Sequence, residues 1–339
     1  MSAAQKIIIS IDAMGGDIGL DTTLAAVNIS QNNYEDIFFI LNGDEQQIKA
    51  HRLYSSLNPQ KFKIFHCSQV IDMDESPASV LRHKNDSSMW RAIEQVKNAN
   101  ASACVSAGNT GALMASSRFI LKMLPDMSRP AICATIPRRG GHLYWLDLGA
   151  NVDLKPQQFY QLAIMGSELA KAVYGINNPK VGLLNIGEEE IKGNEIVKEA
   201  GKLLQNAPIN YIGNVEGDDI FLNENLDVVV CDGFVGNVAL KSVEGLAKFI
   251  QLTLKEEYKK NIFTKLAALL SLPVLKRLKN RIDPRMYNGA SLLGLRGLVI
   301  KSHGNADAFA YTQAINVAYL ASKNQVLERI QNQLSLEKK

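Results

Sequence analysis

The sequence has few of the residues that mark an extracellular or disulfide-stabilised protein. Only four cysteines occur in 339 residues, at positions 67, 104, 133 and 231, and no two of them form a Cys-x-x-Cys pair. Each lies in or beside an apolar run, as buried free thiols of a reducing compartment do. Residues 1–11 contain no extended apolar region with a cleavage signature, which argues against secretion. We therefore expect a cytoplasmic protein.

Strong charge asymmetry and long hydrophobic runs are also missing. The 37 Lys and Arg residues are nearly balanced by 34 Asp and Glu residues, which leaves a formal net charge of +3. This excess is too small to indicate nucleic-acid binding. No run of about eighteen apolar residues is present, so we expect no membrane-spanning helix. No fixed-period repeat or low-complexity linker divides the chain, and we expect a single α/β domain over residues 1–339.

Signatures of several catalytic classes are absent as well. The first predicted strand ends in residues 12–17, Asp-Ala-Met-Gly-Gly-Asp, and no Gly-x-Gly-x-x-Gly follows a strand. This argues against a nicotinamide-dependent dehydrogenase. The sequence also lacks a Ser-His-Asp or Cys-His signature of covalent catalysis and any metal-ligand spacing. We therefore expect neither a metal nor another cofactor.

A glycine-rich turn lies at the centre of the chain's organisation. Residues 106–112, Ser-Ala-Gly-Asn-Thr-Gly-Ala, follow a short apolar run and precede an apolar stretch of helical type. A strand, a turn and a helix start in this order direct backbone N–H groups at one point, which suits an anion. Gly108 and Gly111 would let the backbone approach a ligand, and Asn109 and Thr110 add side-chain donors. A tight turn without a ligand would use the same residues.

Similar turns recur after other predicted strands, and predicted helices alternate with these strands. Residues 130–137 and 142–148 are predicted to pair as a hairpin. The pattern predicts an open, mostly parallel, Rossmann-like sheet flanked by helices, with the ligand in the crevice beyond the carboxyl ends of the strands. The other predicted strands are residues 6–11, 37–41, 61–67, 103–105, 181–185, 227–231 and 297–301.

Residues 255–285 differ from the rest of the chain. They contain nine Lys and Arg against three Asp and Glu, a local charge of +6. Within them, residues 261–275 are apolar and of helical type, and Pro273 is expected to break the helix. An apolar face beside a basic cluster fits a membrane surface or an acidic protein partner. A helical hairpin packed on the core or on a second subunit is the alternative. The candidate contact residues are Phe263, Leu266, Leu269, Leu270, Lys276, Arg277, Lys279 and Arg281.

Six motifs, taken together and in order, resemble the bacterial phosphate acyltransferase family of phospholipid synthesis. They extend over most of the chain, from about residue 6 to residue 320. The motifs are residues 11–17 (IDAMGGD), 106–112 (SAGNTGA), 146–151 (LDLGAN), 185–189 (NIGEE), 231–237 (CDGFVGN) and 301–304 (KSHG).

This resemblance implies a fold, a reaction and partners. The fold would be related to those of phosphotransacetylase and isocitrate dehydrogenase. The reaction would convert acyl-[acyl carrier protein] and inorganic phosphate to acyl phosphate and free carrier protein. The resemblance also implies a homodimer. It implies loose association with the inner face of the membrane, where a membrane acyltransferase uses the acyl phosphate.

Such a reaction requires a site that binds phosphate and stabilises an oxyanion. We expect Gly108, Asn109, Thr110 and Gly111 to hold phosphate, with Asn109 also contributing to catalysis. Lys301 and His303, at the end of the last predicted strand, would supply positive charge or a proton to the departing thiolate. Four further candidates for substrate binding are Asn151, Gly233, Gly236 and Asn237.

Two alternatives remain open at this point. A phosphotransacetylase-like enzyme that uses acyl-CoA would need the same glycine turns. A non-catalytic membrane-surface scaffold built on residues 262–285 would bind lipid without turnover.

Overall fold

The computed structural model describes residues 6–125, 127 and 129–336, and all of its strands join one eleven-stranded sheet. The order across the sheet is β3-β2-β1-β4-β11-β10-β5-β6-β9-β7-β8. The strands are β1 (Ile7–Asp12), β2 (Ile37–Gly43), β3 (Phe62–His66), β4 (Ala103–Ser106), β5 (Ala131–Arg138), β6 (Gly141–Leu146), β7 (Lys180–Leu184), β8 (Asn210–Val215), β9 (Val228–Val230), β10 (Ala290–Leu293) and β11 (Leu298–Lys301).

Twelve α-helices connect these strands within the described residues. They are α1 (Leu20–Asn33), α2 (Glu45–Ala50), α3 (Pro77–His83), α4 (Ser88–Lys97), α5 (Thr110–Leu121), α6 (Pro156–Tyr174), α7 (Glu195–Gln205), α8 (Asp219–Leu222), α9 (Gly233–Lys259), α10 (Ile262–Arg281), α11 (Ala308–Lys323) and α12 (Val326–Leu336). Short 3₁₀ turns lie at Tyr54–Ser56, Pro59–Lys61 and Pro284–Tyr287.

The helices cover both faces of the sheet, because successive strand residues point to opposite sides. Tyr144 of β6 packs into the cluster built on α6, whereas its neighbour Trp145, which is fully buried, packs into the cluster that includes the start of α9. In the other half of the sheet, α1 and α11 cover one face, and α4 and α5 cover the other. The predicted α/β architecture, with helices on both faces of a mostly parallel sheet, is confirmed.

The two halves of the sheet run in opposite directions. The strands β3, β2, β1, β4 and β11 are parallel to one another, and so are β6, β9, β7 and β8. Between them lie three antiparallel pairs, β11 with β10, β10 with β5, and β5 with β6. The last of these pairs is the predicted hairpin. This arrangement places the carboxyl ends of β1, β4 and β11 at one edge of the sheet and those of β6, β7 and β9 at the opposite edge.

The prediction that Pro273 breaks the apolar helix is wrong. The helix α10 continues from Ile262 through Pro273 to Arg281. A proline inside a helix removes one backbone N–H and crowds the carbonyl four residues earlier, here that of Leu269. Because both residues lie on the exposed surface of α10, that carbonyl is open to solvent. The helix therefore tolerates the proline.

Five strands and α-helices were not predicted from the sequence, namely β8, β10, α3, α8 and α12. The strand β8 has mixed burial, α3 and α8 are short, and α12 lies in a polar tail. The buried residues Val326 and Ile330 attach α12 to the core cluster under α6. In the described part of the chain, no helix is both long and apolar enough to cross a membrane.

Candidate active site

Three loops converge at the sheet edge where β1, β4 and β11 end. The Ser106 hydroxyl donates to Asp12 Oδ2 at 2.6 Å, and the Ser302 N–H donates to the carbonyl oxygen of Ser106 at 2.8 Å. The Asp17 N–H donates to the carbonyl oxygen of Gly304 at 2.8 Å. These bonds join residues 12–17, 106–111 and 302–306 into one surface, as expected for loops that follow neighbouring parallel strands.

The start of α5 presents unused backbone donors on this surface. Among the described residues, the N–H groups of Asn109, Thr110 and Gly111 donate to no protein acceptor, and both Thr110 and Gly111 are exposed. The N–H of Gly108 is already used, because it donates to Ser106 Oγ at 3.0 Å. The first N–H groups of a helix carry partial positive charge and favour an anion. The expected phosphate turn therefore has three free donors.

The side chain of Asn109 is committed to holding the turn in place. Its Oδ1 accepts from the Ala112 N–H at 2.9 Å and so caps α5. Its Nδ2 donates to the carbonyl oxygens of Met73 and Glu75 at 2.7 and 3.1 Å. These bonds fix residues 73–75 beside the turn. The catalytic role expected for Asn109 stays a prediction, and what this geometry supplies is a helix cap and a clamp.

Lys301 places a cation against the joined loops. Its Nζ donates to the carbonyl oxygen of Ala107 at 3.2 Å and to that of Ser302. Burial lowers the pKa of Lys301 to about 8, although the carboxylates of Asp12 and Asp17 oppose this shift. A lysine with a pKa near neutral pH can both attract an anion and give up a proton. This is the combination that acyl transfer to phosphate requires.

Asp12 is fully enclosed beneath the same loops. Its Oδ2 accepts from Ser106, its Oδ1 is buried without a partner, and burial raises the pKa of its carboxyl. The glycine at position 15 is required here, because a Cβ atom would overlap Asp12 Oδ2. Asp12 therefore holds the Ser106 side chain, and its charge favours the ammonium form of Lys301. A carboxylate near the expected phosphate turn would act in this indirect way, because it repels phosphate itself.

His303 lies at the rim of this surface, next to α9. Partial desolvation of its ring lowers the pKa of His303, and the Lys301 ammonium and Lys241 lower it further, while Glu244 raises it. The last two residues belong to α9, which was not expected to approach this turn. The lowered pKa disfavours the charged form of the His303 ring.

The other predicted substrate-binding residues lie at the opposite edge of the sheet. Asn151 and Gly233 meet there, since the Gly233 N–H donates to the carbonyl oxygen of Asn151 at 2.6 Å. Asn237 lies against Gly149, with its Cβ 3.3 Å from where a Gly149 Cβ would stand. This second cluster follows β6 and β9, whose carboxyl ends lie opposite to those of β4 and β11, and α9 leads from it toward His303.

Backbone donors in the second cluster are already used. The N–H groups of Phe234 and Val235 donate to Asp232 Oδ1 at 3.0 Å each, and that of Gly236 donates to the Asp232 carbonyl oxygen at 2.9 Å. Asn151 Nδ2 donates to Asp147 Oδ2 at 2.7 Å and to the Pro130 carbonyl oxygen at 3.1 Å. The substrate-binding role of these residues stays a prediction, and in this chain they build a closed turn.

The buried carboxylate of Asp147 is the centre of that turn. It accepts from the N–H groups of Ile132, Ala150 and Asn151 at 2.9, 3.2 and 2.8 Å. Burial raises its pKa, and these bonds oppose the shift. The Asp147 carboxylate thus orients backbone groups.

The predicted contact segment protrudes as a helical hairpin of α9 and α10. No residue of α10 is buried, and the apolar side chains of Phe263 and Leu270 are 79% and 83% exposed. Leu266 and Leu269 are also exposed, and so are the basic side chains Lys276, Arg277, Lys279 and Arg281. Exposed apolar area of this extent marks an interaction surface.

Comparison with solved structures defines the class of fold. The chain is similar to the EutD phosphotransacetylase from Staphylococcus aureus, with a TM-score of 0.60 and 16% identity over 95% of this chain and 94% of that one. It is also similar to a phosphotransacetylase from Streptococcus pyogenes, with a TM-score of 0.59 and 17% identity over the same shares. The sheet with its divided strand directions is therefore the phosphotransacetylase type of α/β fold.

Sequence comparison identifies the family to which the chain belongs. The model of the family described as "Fatty acid synthesis protein" matches residues 7–329, and this chain belongs to that family. Proteins named phosphate acyltransferase are 63% identical in Dichelobacter nodosus, over 97% of this chain and 95% of the relative, and 52% identical in Methylococcus capsulatus, over 95% of each. The chain is accordingly an acyltransferase enzyme, as its motifs predicted.

Proposed function

We propose that the protein transfers an acyl group from acyl-[acyl carrier protein] to inorganic phosphate, in an early step of phospholipid synthesis. The observation that carries this proposal is the convergence of three free N–H donors at the start of α5 with the partly buried Lys301 ammonium. Both features favour a small anion. No cofactor is needed, because inorganic phosphate is itself the nucleophile.

The proposed reaction involves no change of oxidation state and therefore needs no oxidant or reductant. An oxygen of hydrogen phosphate attacks the thioester carbonyl carbon, the new C–O bond forms, and the C–S bond breaks with its electron pair on sulfur. The thiolate takes a proton and the acyl phosphate releases one. In this scheme the α5 donors hold phosphate, and Lys301 neutralises charge and protonates the sulfur. His303 and Asn109 line the approach to the carbonyl.

The reaction can be tested directly with purified protein. Phosphate-dependent release of free carrier protein from long-chain acyl carrier protein is expected, with acyl phosphate trapped by hydroxylamine as acyl hydroxamate. Omission of phosphate is the control and should abolish release. Equal release with and without phosphate would point to a thioesterase and contradict the proposal.

Acyl-CoA is the second candidate donor. The fold shared with phosphotransacetylases favours it, because the structural relatives carry that name. Both donors end in a thioester, so the site surface described above serves either. Side-by-side turnover of equal chain lengths on carrier protein and on CoA decides between them.

We further propose that the α9–α10 hairpin joins two protomers into a homodimer and touches the inner face of the membrane. The apolar face of both helices supports this, since Phe249 and Ile250 of α9 are exposed together with the apolar residues of α10. The neighbouring basic side chains suit anionic lipid headgroups. A cytoplasmic enzyme held there would deliver acyl phosphate to a membrane acyltransferase.

Substitution of the hairpin's apolar side chains separates its two proposed roles. Phe263→Ser and Leu270→Ser together are expected to reduce sedimentation with anionic liposomes at least about tenfold, because each removes exposed apolar area. The mass in solution is measured by light scattering on the same samples. Leu222→Ser, an exposed leucine on α8, is the matched control. Unchanged liposome binding would contradict membrane contact, and an unchanged mass would exclude these two residues from the dimer interface.

A further inference from the structure

The segment that joins α10 to β10 contains a buried amide beside the candidate active site. Asn288 is only 3% exposed and follows the 3₁₀ turn Pro284–Tyr287. No feature of the sequence marked it as functional. Its position is notable because the side chain points at the turn that follows Lys301.

Three hydrogen bonds tie the Asn288 amide to that turn and to α11. Its Nδ2 donates to Ser302 Oγ and to the Ala310 carbonyl oxygen, each at 2.8 Å. Its Oδ1 accepts from the backbone N–H of His303 at 3.0 Å. Both amide hydrogens and one lone pair are therefore used, and only an amide offers two donors and an acceptor in this geometry.

The bonds act on residues whose direction matters for the chemistry. Ser302 lies between the two proposed catalytic side chains, and its own N–H is held by Ser106. Asn288 therefore holds the Ser302 hydroxyl and the His303 N–H, while Ser106 holds the Ser302 N–H. The directions in which Lys301 and His303 leave the backbone are then set before substrate binds.

The segment that holds Asn288 is itself fastened. Arg285 pairs with Asp283 through Nη2 at 2.7 Å and with Asp307 through Nη1 at 2.8 Å. Asp307 in turn caps α11 by accepting from the Ala310 N–H at 2.8 Å. The Asn288 amide thus lies on a segment that Arg285 ties to the start of α11.

We infer that Asn288 is a positioning residue for acyl transfer, which holds the Ser302–His303 backbone so that Lys301 and His303 meet the thioester. The inference rests on the roles proposed above for those two residues. Asn288 itself touches no reacting atom.

The first test is the turnover number of Asn288→Ala and of the milder Asn288→Ser. We expect kcat to fall about 10–100-fold, because small misplacement of catalytic groups is costly, while KM for the acyl donor changes little. Asn324→Ala is the matched control, since Asn324 Nδ2 similarly bridges helices by donating to the Ala172 carbonyl oxygen at 2.6 Å. The control is expected to lose some thermal stability and no kcat.

The second test is the pH profile of Asn288→Asp, which is nearly isosteric. A carboxylate at this position favours the protonated forms of Lys301 and His303, so their pKa values rise. The decline of kcat at alkaline pH, the alkaline limb of the profile, is expected to begin about one pH unit higher. A shifted limb with an unchanged plateau value of kcat would be the effect of the added charge alone and would contradict the positioning role.

The outcomes separate this inference from the proposed function. Lys301→Ala and His303→Ala are measured in the same assay. If these two are inactive while all Asn288 variants keep the wild-type kcat and pH profile, the positioning role is wrong and the proposed function stands. If Lys301→Ala and His303→Ala keep full turnover, the proposed roles fail and the positioning role fails with them.

Discussion

Lys301→Ala is expected to lower kcat/KM for phosphate by about 10²–10³-fold, the effect of removing one preorganised charge from a developing oxyanion. The ammonium lies between the Ala107 and Ser302 carbonyl oxygens, on the surface that carries the free N–H groups of α5. Alanine leaves that surface without its cation. Turnover is measured as phosphate-dependent release of carrier protein, and folding is checked by circular dichroism.

The pH dependence of the wild-type enzyme provides an independent test of the same residue. The pKa of Lys301 is lowered to about 8, so the ammonium is lost as the pH rises through that value. Activity should therefore fall above about pH 8, whereas a lysine with an ordinary pKa of about 10.4 would keep its charge. Lys301→Arg stays charged throughout, and its residual activity should lack this limb.

Lys61→Ala is the matched control for the loss of a lysine. The Nζ of Lys61 also donates to two carbonyl oxygens, those of Gln31 and Tyr34, at 2.8 and 2.7 Å. It lies far from the β11 edge in the strand order, next to β3. Lys61→Ala is expected to lose some stability with unchanged kcat. Equal kcat/KM for phosphate in wild type and in folded Lys301→Ala would show that Lys301 takes no part in phosphate binding or catalysis.

Much of the fold was predictable because local patterns determine it. The bounds of α6 are an example, because Pro156 at its first position and Gly175 after its end are strong signals of a helix start and stop. The strands with turn motifs were all located, since apolar runs followed by glycine are distinctive. The strand β10 was missed because its residues, Ala-Ser-Leu-Leu, include no β-branched side chain, and α12 because two buried apolar side chains in a polar tail were not recognised.

The candidate site was only partly predictable, because the two halves of the sheet run in opposite directions. Sequence motifs place polar turns after strands, and a parallel sheet would gather all of these turns at one edge. The predicted hairpin of β5 and β6 reverses the chain, and the second half of the sheet keeps the reversed direction. Asn151 and Gly233 were therefore grouped with Gly108 in the prediction, although they lie at the other edge.

Asn288 was missed for a different reason. Its partners Ser302 and Ala310 follow 14 and 22 residues later, and a buried asparagine in a connecting segment has no periodicity. The signal that does exist is a polar residue beside Gly289, whose φ of 116° marks a constrained turn. Glycine at positive φ directly after a polar side chain is worth inspecting in such connections.

Gly236→Ala is expected to lower the free energy of unfolding by about 3 kcal/mol or more, since overpacking against backbone cannot be relieved by rotating a side chain. A Cβ at this position would overlap the Asp147 carbonyl oxygen and lie 2.9 Å from Cys231 Sγ. The Asp147 backbone cannot move away easily, because its buried carboxylate holds Ile132, Ala150 and Asn151. Denaturant unfolding of the purified variant measures the loss.

Gly201→Ala is the control for this substitution, because it is also a helical glycine but has only ordinary contacts, 3.5 Å from Tyr211 Oη and 3.8 Å from Leu183 Cδ2. Alanine there should stabilise by about 0.5–1 kcal/mol through helix propensity. The pair of variants decides what the second cluster does. If Gly236→Ala is strongly destabilised, the motif at residues 231–237 has a structural role, because the packing of α9 on the Asp147 turn requires a glycine at this position. If it keeps wild-type stability and loses phosphate-dependent turnover, the turn contacts substrate, and the site must extend to the opposite edge of the sheet.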